Sequence, residues 1–325
     1  MLRYRFSLLG LSLLITGCGL TLRSVLSSGI EGTSSVVPHH VTVLSAPQAL
    51  NTAAHAIDRA QYSVQLDMYE LGNSTLLHAL VSAHHRGVQV DVLLDPTERQ
   101  SRVSGPWLIA HGVTVRWAHD ASGGIDHVKL LVVDGHWVEL GGVNWGRHST
   151  WTRDRVVVIP QAPAYSVYFQ RAWTGYSHAM PPAGVYASPV LGPALVASVT
   201  HATGPVWLIE DYLTDHRLEQ ALAVAATRVS VHVILRHATI NQAAASWLAT
   251  HDVSVRWAPS TPWLHEKSVV AGSVWWIGSA NGSWHGLYGP NVELDARLTG
   301  TAWQIGRAQA ETLWTHSHPF APLSS

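Results

Sequence analysis

The chain has 325 residues, 47% of them hydrophobic, which excludes an unstructured polymer and provides for one large domain or two of medium size. Lys and Arg number 20 against 21 Asp and Glu, a formal charge of −1, so no general electrostatic pull toward nucleic acid is built in, although a local basic cleft stays open. Charged residues make up only 13%, while His (21) outnumbers Lys and Arg together, so net charge climbs steeply as pH falls through about 6.5.

The first element in chain order is an export signal. Arg3 and Arg5 precede the uncharged run FSLLGLSLLI (6–15), which is shorter than the roughly 20 residues a transmembrane helix needs. LITGC follows, and its Cys18 is the only cysteine, so no disulfide can form within the chain. The segment resembles a bacterial lipoprotein signal, in which a cysteine after a small residue is lipidated and becomes the new N-terminus. A plain secretory signal with an incidental cysteine is the alternative. The resemblance implies a signal peptide over 1–18, lipidation at Cys18, and an extracytoplasmic protein anchored to a membrane, or alternatively secreted. Residues 19–40 are rich in Ser and Gly and read as a flexible tether.

From there the chain repeats itself. HGVTVRWA (111–118) returns as HDVSVRWA (251–258), 140 residues later. VQLDMYEL (64–71) pairs with VWLIEDYL (206–213), and LLHALVSAHHRGVQVDVLLD (76–95) with LEQALAVAATRVSVHVILR (218–236). Each half reads strand, helix, strand, helix, strand, then a hairpin. β-branched runs with few charges fit strands buried on both faces, and the Ala/Leu spacing between them fits helices. The predicted class is α/β: two similar α/β/α sandwich domains, 41–182 and 183–325, meeting across a pseudo-two-fold axis with the active site at their interface. The bridge 160–193 is predicted to hold one short amphipathic helix and a Pro/Gly-rich linker.

Each half carries a His-x-Lys pair: His127 and Lys129 in GGIDHVKLLVVDGHWVELGGVNWG, and His265 and Lys267 in PWLHEKSVVAGSVWWIGSANGSW. Residues two apart in a strand share a face, so each imidazole points with its ammonium. Asp134-Gly135 signals a hairpin turn. The return strands end in GGVN and GSAN, with Asn144 and Asn281. His127 to Asn144 is 17 residues and His265 to Asn281 is 16, so the second copy is one residue shorter before its turn and Ala271 stands where Asp134 does. Two imidazoles, two ammoniums and two amides brought together suit a phosphodiester. The cations and amides stabilise charge on phosphate oxygens, one His attacks phosphorus, and the other protonates the leaving alkoxide and then activates water. The chemistry calls for no metal and no cofactor.

These motifs resemble the phospholipase D superfamily, whose signature His-x-Lys-x4-Asp followed by Gly-Ser/Gly-x-Asn occurs twice per active site. The resemblance covers nearly all of 41–319. It implies a phosphohistidine intermediate, with His127 as nucleophile and His265 as acid/base, the near symmetry leaving the reverse assignment open. It also implies that Glu293, twelve residues after Asn281, and Asp154, ten after Asn144, orient the imidazoles. Lys129, Lys267, Asn144, Asn281 and Ser279 fall at its phosphate-binding positions. Ala271 departs from the pattern, which fits an Asp serving the turn rather than the chemistry, and Asp134 reads either as turn residue or as orienting carboxylate.

The expected substrate is a phospholipid at a membrane surface, hydrolysed or transferred. An extracytoplasmic nuclease is the alternative, with PTERQSR (96–102) and WGRHSTWTRDR (145–155) as its only basic loops, and a weakly active phospholipid-binding lipoprotein is a third reading. Trp145, Trp151, Trp263, Trp284 and Tyr288 lie beside the motifs, to be packed, set at a lipid–water interface, or stacked on bases. His39-His40, His84-His85 and His316-x-His318 read as solvated residues rather than metal ligands. A monomer holding an internal pseudo-dimer is expected.

Overall fold

The computed structural model describes residues 41–118, 123–160, 162–175 and 179–321. The expected signal segment, Cys18, the tether and His39-His40 lie outside them. The described residues fall in one compact unit.

Two mixed sheets of similar size form the fold. The first has seven strands in the order Thr42–Ser45, Arg155–Pro160, Trp137–Gly141, Lys129–Val133, Ser63–Met68, Gln89–Leu94, Thr114–Trp117. The second has eight: His318–Pro319, Ser254–Trp257, Val231–Leu235, Val206–Glu210, Lys267–Ala271, Val274–Gly278, Leu294–Leu298, Val185–Ala187. The same core of pairings recurs in both. Ser63–Met68, Gln89–Leu94 and Thr114–Trp117 run parallel, as do Val206–Glu210, Val231–Leu235 and Ser254–Trp257. The hairpin Lys129–Val133/Trp137–Gly141 is antiparallel to its neighbours, and so is Lys267–Ala271/Val274–Gly278. The class is α/β with two α/β/α halves, as the alternating pattern predicts.

The strands are buried along nearly their whole length because both sheet faces are covered. Helices Ala46–Arg59, Ser74–His85 and Arg99–Ala110 supply Leu50, Ile57, Leu80 and Leu108 to one outer core with Leu66. Helices Leu191–Thr200, His216–Ala226 and Gln242–Ala249 supply Leu195, Leu222 and Leu248 to another with Leu208. The repeat preserves the capping chemistry: Asn73 accepts from Leu76 N–H at 3.2 Å, and its counterpart Asp215 accepts from Leu218 N–H at 3.0 Å.

The inner faces share a third core. Leu130, Val132, Leu140 and Val157 of the first sheet meet Ile209, Trp275, Ile277 and Leu294 of the second, with Tyr165 and Tyr168 of helix Pro163–Trp173 and Leu313 of helix Gly300–His316. Gly306 lets that last helix lie against Trp275, since a Cβ there would collide with the indole. The bridge differs from expectation in one respect. Val185–Ala187 is a strand and pairs with Leu294–Leu298 as an edge of the second sheet. Its three residues are too few to show alternation, so only the partner strand defines it.

Candidate functional site

Each motif histidine sits just ahead of an inner strand, and each is stitched to the other half of the chain. Asp126 makes a parallel bridge with Val292, and His127 N–H donates to Val292 C=O at 3.0 Å. In the second half, Trp263–Leu264 pairs in parallel with Thr152–Arg153, and His265 N–H donates to Arg153 C=O at 3.0 Å. The next residues along those partner segments are Glu293 and Asp154. The carboxylates therefore cross over. His127 Nδ1 lies 2.9 Å from Glu293 Oε2, and His265 Nδ1 lies 2.5 Å from Asp154 Oδ2. With Nδ1 taken in each ring, Nε2 is the atom left for chemistry.

The carboxylates are themselves held. Ser279 Oγ donates to Glu293 Oε2 at 2.6 Å and accepts from Leu294 N–H at 3.0 Å. Asn291 Nδ2 donates to Glu293 Oε1 at 3.3 Å, and Arg155 N–H donates to Asp154 Oδ1 at 2.7 Å. The repeat equivalent of Ser279 is Gly142, and a Cβ at Gly142 would collide with the Asp154 carboxylate. So one half needs a hydroxyl at this position and the other needs nothing at all.

Lys129 and Lys267 are both buried, and each ammonium donates to the carbonyl of its own motif histidine, at 2.6 Å for Lys129. The side-chain oxygens of Asn144 and Asn281 are buried without a hydrogen-bond partner, at matching positions in the two halves. Buried polar atoms left open in symmetric positions are what a ligand-binding site presents.

Burial dominates the electrostatics. It lowers both histidines well below the usual imidazole range, with Lys129 and then Lys267 adding to this at His127, and Lys267 adding at His265. Burial pushes Glu293 and Asp154 up to about 7 each, against Lys129 and Lys267 respectively. Burial also pushes Lys129 down to about 7, opposed by Glu293 and reinforced by Lys267. The groups of the two halves thus feel one another's charge. An anion entering the site offsets the lysines and favours protonated histidine.

Asp134 serves a different structure. It takes φ +51° in the hairpin turn, and its carboxylate accepts N–H bonds from Gln61, Tyr62 and Ser63 at 3.0, 2.7 and 2.8 Å. These are the bonds of a turn residue rather than of a group orienting an imidazole. Contrary to expectation, Ala271 does not stand where Asp134 does: it ends its strand paired with Val206 as Val133 ends its strand paired with Val64. The place of Asp134 falls to Gly272, whose N–H donates to Pro205 C=O at 3.3 Å, and the missing residue lies in the turn itself.

The aromatics sort by burial. Trp145 is fully buried and Tyr288 half-buried, whereas Trp151, Trp263 and Trp284 are exposed. A pocket of about 380 Å³ opens beside His265, lined by Glu70, Asn144, His148, Trp151, Thr152 and Trp263. Among the described residues no group of three or more His, Cys, Asp or Glu could hold a metal ion, and no helix is long and apolar enough to cross a membrane.

Tyr69 and Asp211 were not singled out by the motifs. Tyr69 meets His127 edge-on, ring centroids 4.8 Å apart, and lies 5.1 Å from Lys129 Nζ. Asp211 Oδ2 lies 3.6 Å from Lys267 Nζ and 3.9 Å from His265 Nε2. The two occupy the same place in the aligned repeats VQLDMYEL and VWLIEDYL. That difference is the signal that could have revealed them.

Residues 54–173 match the family described as "Cardiolipin synthase, PLD-like domain". Mitochondrial cardiolipin hydrolase of Xenopus tropicalis is 37% identical over 131 residues, which span 37% of this chain and 59% of that protein. Cardiolipin synthase A of Citrobacter koseri is 32% identical over 120 residues, 34% of this chain and 23% of the synthase. The matched stretch is thus less than two thirds of either relative. Among solved structures, phosphatidylserine synthase of Haemophilus influenzae Rd KW20 superposes with a TM-score of 0.67 at 11% identity, over 88% of each chain. Polyphosphate kinase of Porphyromonas gingivalis gives 0.64 at 14% identity, over 86% of this chain and 47% of the kinase. These two likenesses are of fold, and they run through both halves.

Proposed function

We propose that the chain belongs to the phospholipase D superfamily and that it hydrolyses or transfers a phosphodiester of a phospholipid through a covalent phosphohistidine, a reading supported by the matching family model and the cardiolipin-acting relatives. The observation that carries this is the crossed pair of clasps. Each histidine is fixed through Nδ1 by a buried carboxylate of the opposite half, beside a buried lysine and an asparagine whose side-chain oxygen has no hydrogen-bond partner.

In the proposed reaction His127 Nε2 attacks phosphorus and the N–P bond forms. The bond to the leaving oxygen breaks as that oxygen takes the proton from His265 Nε2. Water, or an acceptor alcohol, then attacks phosphorus and gives its proton to His265. The N–P bond breaks and neutral His127 is restored. Lys129, Lys267, Asn144 and Asn281 bind the phosphate oxygens, and Glu293 and Asp154 hold the rings. The pocket beside His265 lies on the leaving-group side.

Exposed Trp151, Trp263 and Trp284 and the absence of a basic excess favour a lipid surface. The cardiolipin-acting relatives support the same choice. A nuclease is the second reading, favoured by a smaller pocket of about 240 Å³ that holds Arg99, Arg147 and His148. Incubation of the purified protein separately with mixed phospholipid vesicles and with DNA tests the choice. Release of phosphatidic acid or an exchanged phospholipid is expected, and cleavage of DNA alone would contradict it. Anchoring of a monomer outside the cytoplasm through Cys18 belongs to the proposal. Mass spectrometry of the native N-terminus is expected to find acylated Cys18, and an unmodified terminus elsewhere would refute it.

A further inference from the structure

The two halves present nearly the same groups, yet the reaction needs one neutral nucleophile and one proton donor. Something must break the symmetry. The Nδ1 clasps do not, since each ring has one carboxylate. The lysines and asparagines do not, since each half has both. The break lies at the position just beyond strand Ser63–Met68 in the first half and strand Val206–Glu210 in the second: Tyr69 and Asp211.

Around His127 this position supplies a ring edge and no charge. Around His265 it supplies a buried carboxylate whose Oδ2 stands 3.9 Å from Nε2, the nitrogen that faces the chemistry. A second substitution fixes that carboxylate. Where the first half has Asp95, the second has Arg236, and Arg236 Nε donates to Asp211 Oδ1. The guanidinium in turn lies over the Tyr212 ring, 4.4 Å from its centroid. Asn241 Nδ2 donates to the Asp211 backbone carbonyl at 2.8 Å. Asp95 is engaged differently: its carboxylate accepts from the N–H groups of Thr97 at 2.6 Å and Asp126 at 2.7 Å.

We propose that Asp211 is the positioning residue that makes His265, and not His127, the proton donor to the leaving alcohol. This rests on the phosphohistidine reading above. Held by Arg236, the carboxylate stabilises His265 with a proton on Nε2 while a phosphodiester occupies the site. That proton passes to the leaving oxygen as the P–O bond breaks, and in the second step Nε2 recovers one from water. The charges facing His265 are Asp154 at Nδ1, Asp211 at Nε2, Lys267 on its own strand, and Lys129 and His127 from the first half. Of these, Asp154 has its counterpart in Glu293 at His127; the other carboxylate whose charge reaches His127 is Asp95, which is tied to the N–H groups of Thr97 and Asp126, whereas Asp211 stands 3.9 Å from His265 Nε2 itself. Removing it makes the imidazolium less stable, so activity is lost at lower pH on the alkaline side of the rate profile.

The test uses the full chain and two soluble probes, the phenyl and p-nitrophenyl diesters of methyl phosphate. Nitrophenolate leaves without a proton and phenolate leaves poorly without one. Asp211→Asn and Asp211→Ser are expected to slow phenyl ester cleavage about 100-fold and nitrophenyl ester cleavage less than about 5-fold, the size of effect a single proton donor commands. Their alkaline limb is expected to move to lower pH, and Asp211→Glu to recover part of the loss. Melting curves identify which variants are folded. Equal losses on both esters with an unmoved limb in a folded variant would overturn the role of Asp211. Failure of the folded native protein to cleave either ester would overturn the phosphodiesterase reading itself, and the inference with it.

Discussion

Ser279 and Gly142 occupy equivalent places and do opposite things. Ser279 tightens Glu293 by a 2.6 Å hydrogen bond, while Gly142 makes room for Asp154. Substitution at either place therefore acts through the carboxylate on the histidine of the other half. Ser279→Ala removes the donor and is expected to lower kcat about 10-fold with KM little changed, within the range typical for a group that orients a catalytic side chain. Gly142→Ala displaces Asp154 and is expected to lower kcat about 10- to 100-fold. Steady-state kinetics with circular dichroism check both, and unchanged kcat in a folded Gly142→Ala protein would show that the Asp154 clasp is dispensable. The pairing itself was half legible. The family resemblance implied that Glu293 and Asp154 orient the imidazoles, but not that each serves the opposite half. That depends on parallel bridges between segments 166 and 111 residues apart, which no local pattern encodes.

The first hairpin carries a turn aspartate and the second does without one. Burial pushes Asp134 up, but N–H donors from Ser63, Gln61 and Tyr62, with His136 nearby, outweigh it and hold the carboxyl below its ordinary range. A folded value below the unfolded one means stabilisation present above about pH 4 and lost as pH falls through the folded value. Asp134→Ala is expected to cost about 1–2 kcal/mol near neutral pH, kept small by the partial exposure of the site. It is expected to leave kcat largely intact. Thermal melts should show the gap from the native protein narrowing below about pH 4, and a gap that persists there would contradict the assignment. At this scale the sequence was most informative. Strands and helices follow from apolar runs and Ala/Leu spacing. The Val185–Ala187 edge strand was hidden because its partner, not its composition, defines it.

The two sheets share an inner core, and their motif segments are stitched together at Asp126–Val292 and at Trp263–Leu264 with Thr152–Arg153. Neither half buries its inner face alone, so the halves are expected to unfold together in one calorimetric transition, and two resolved transitions would contradict this. The duplication was plain in the sequence, and with it the two-half architecture. The shared core was not, because buried strands look alike whether a helix or another sheet covers them. What the shared architecture achieves, on the proposed reading, is a single phosphate site with two unlike histidines. Trapping the covalent intermediate tests that most directly. His265→Ala protein mixed with a p-nitrophenyl phosphodiester should complete the first step without a proton donor and stall at the second for want of a base. Phosphorylated enzyme is expected to accumulate, with acid-labile phosphate on the peptide containing His127 and none formed by His127→Ala protein. Phosphate on His265 in the His127→Ala protein would reverse the roles, and no covalent species in any variant would contradict a phosphohistidine altogether.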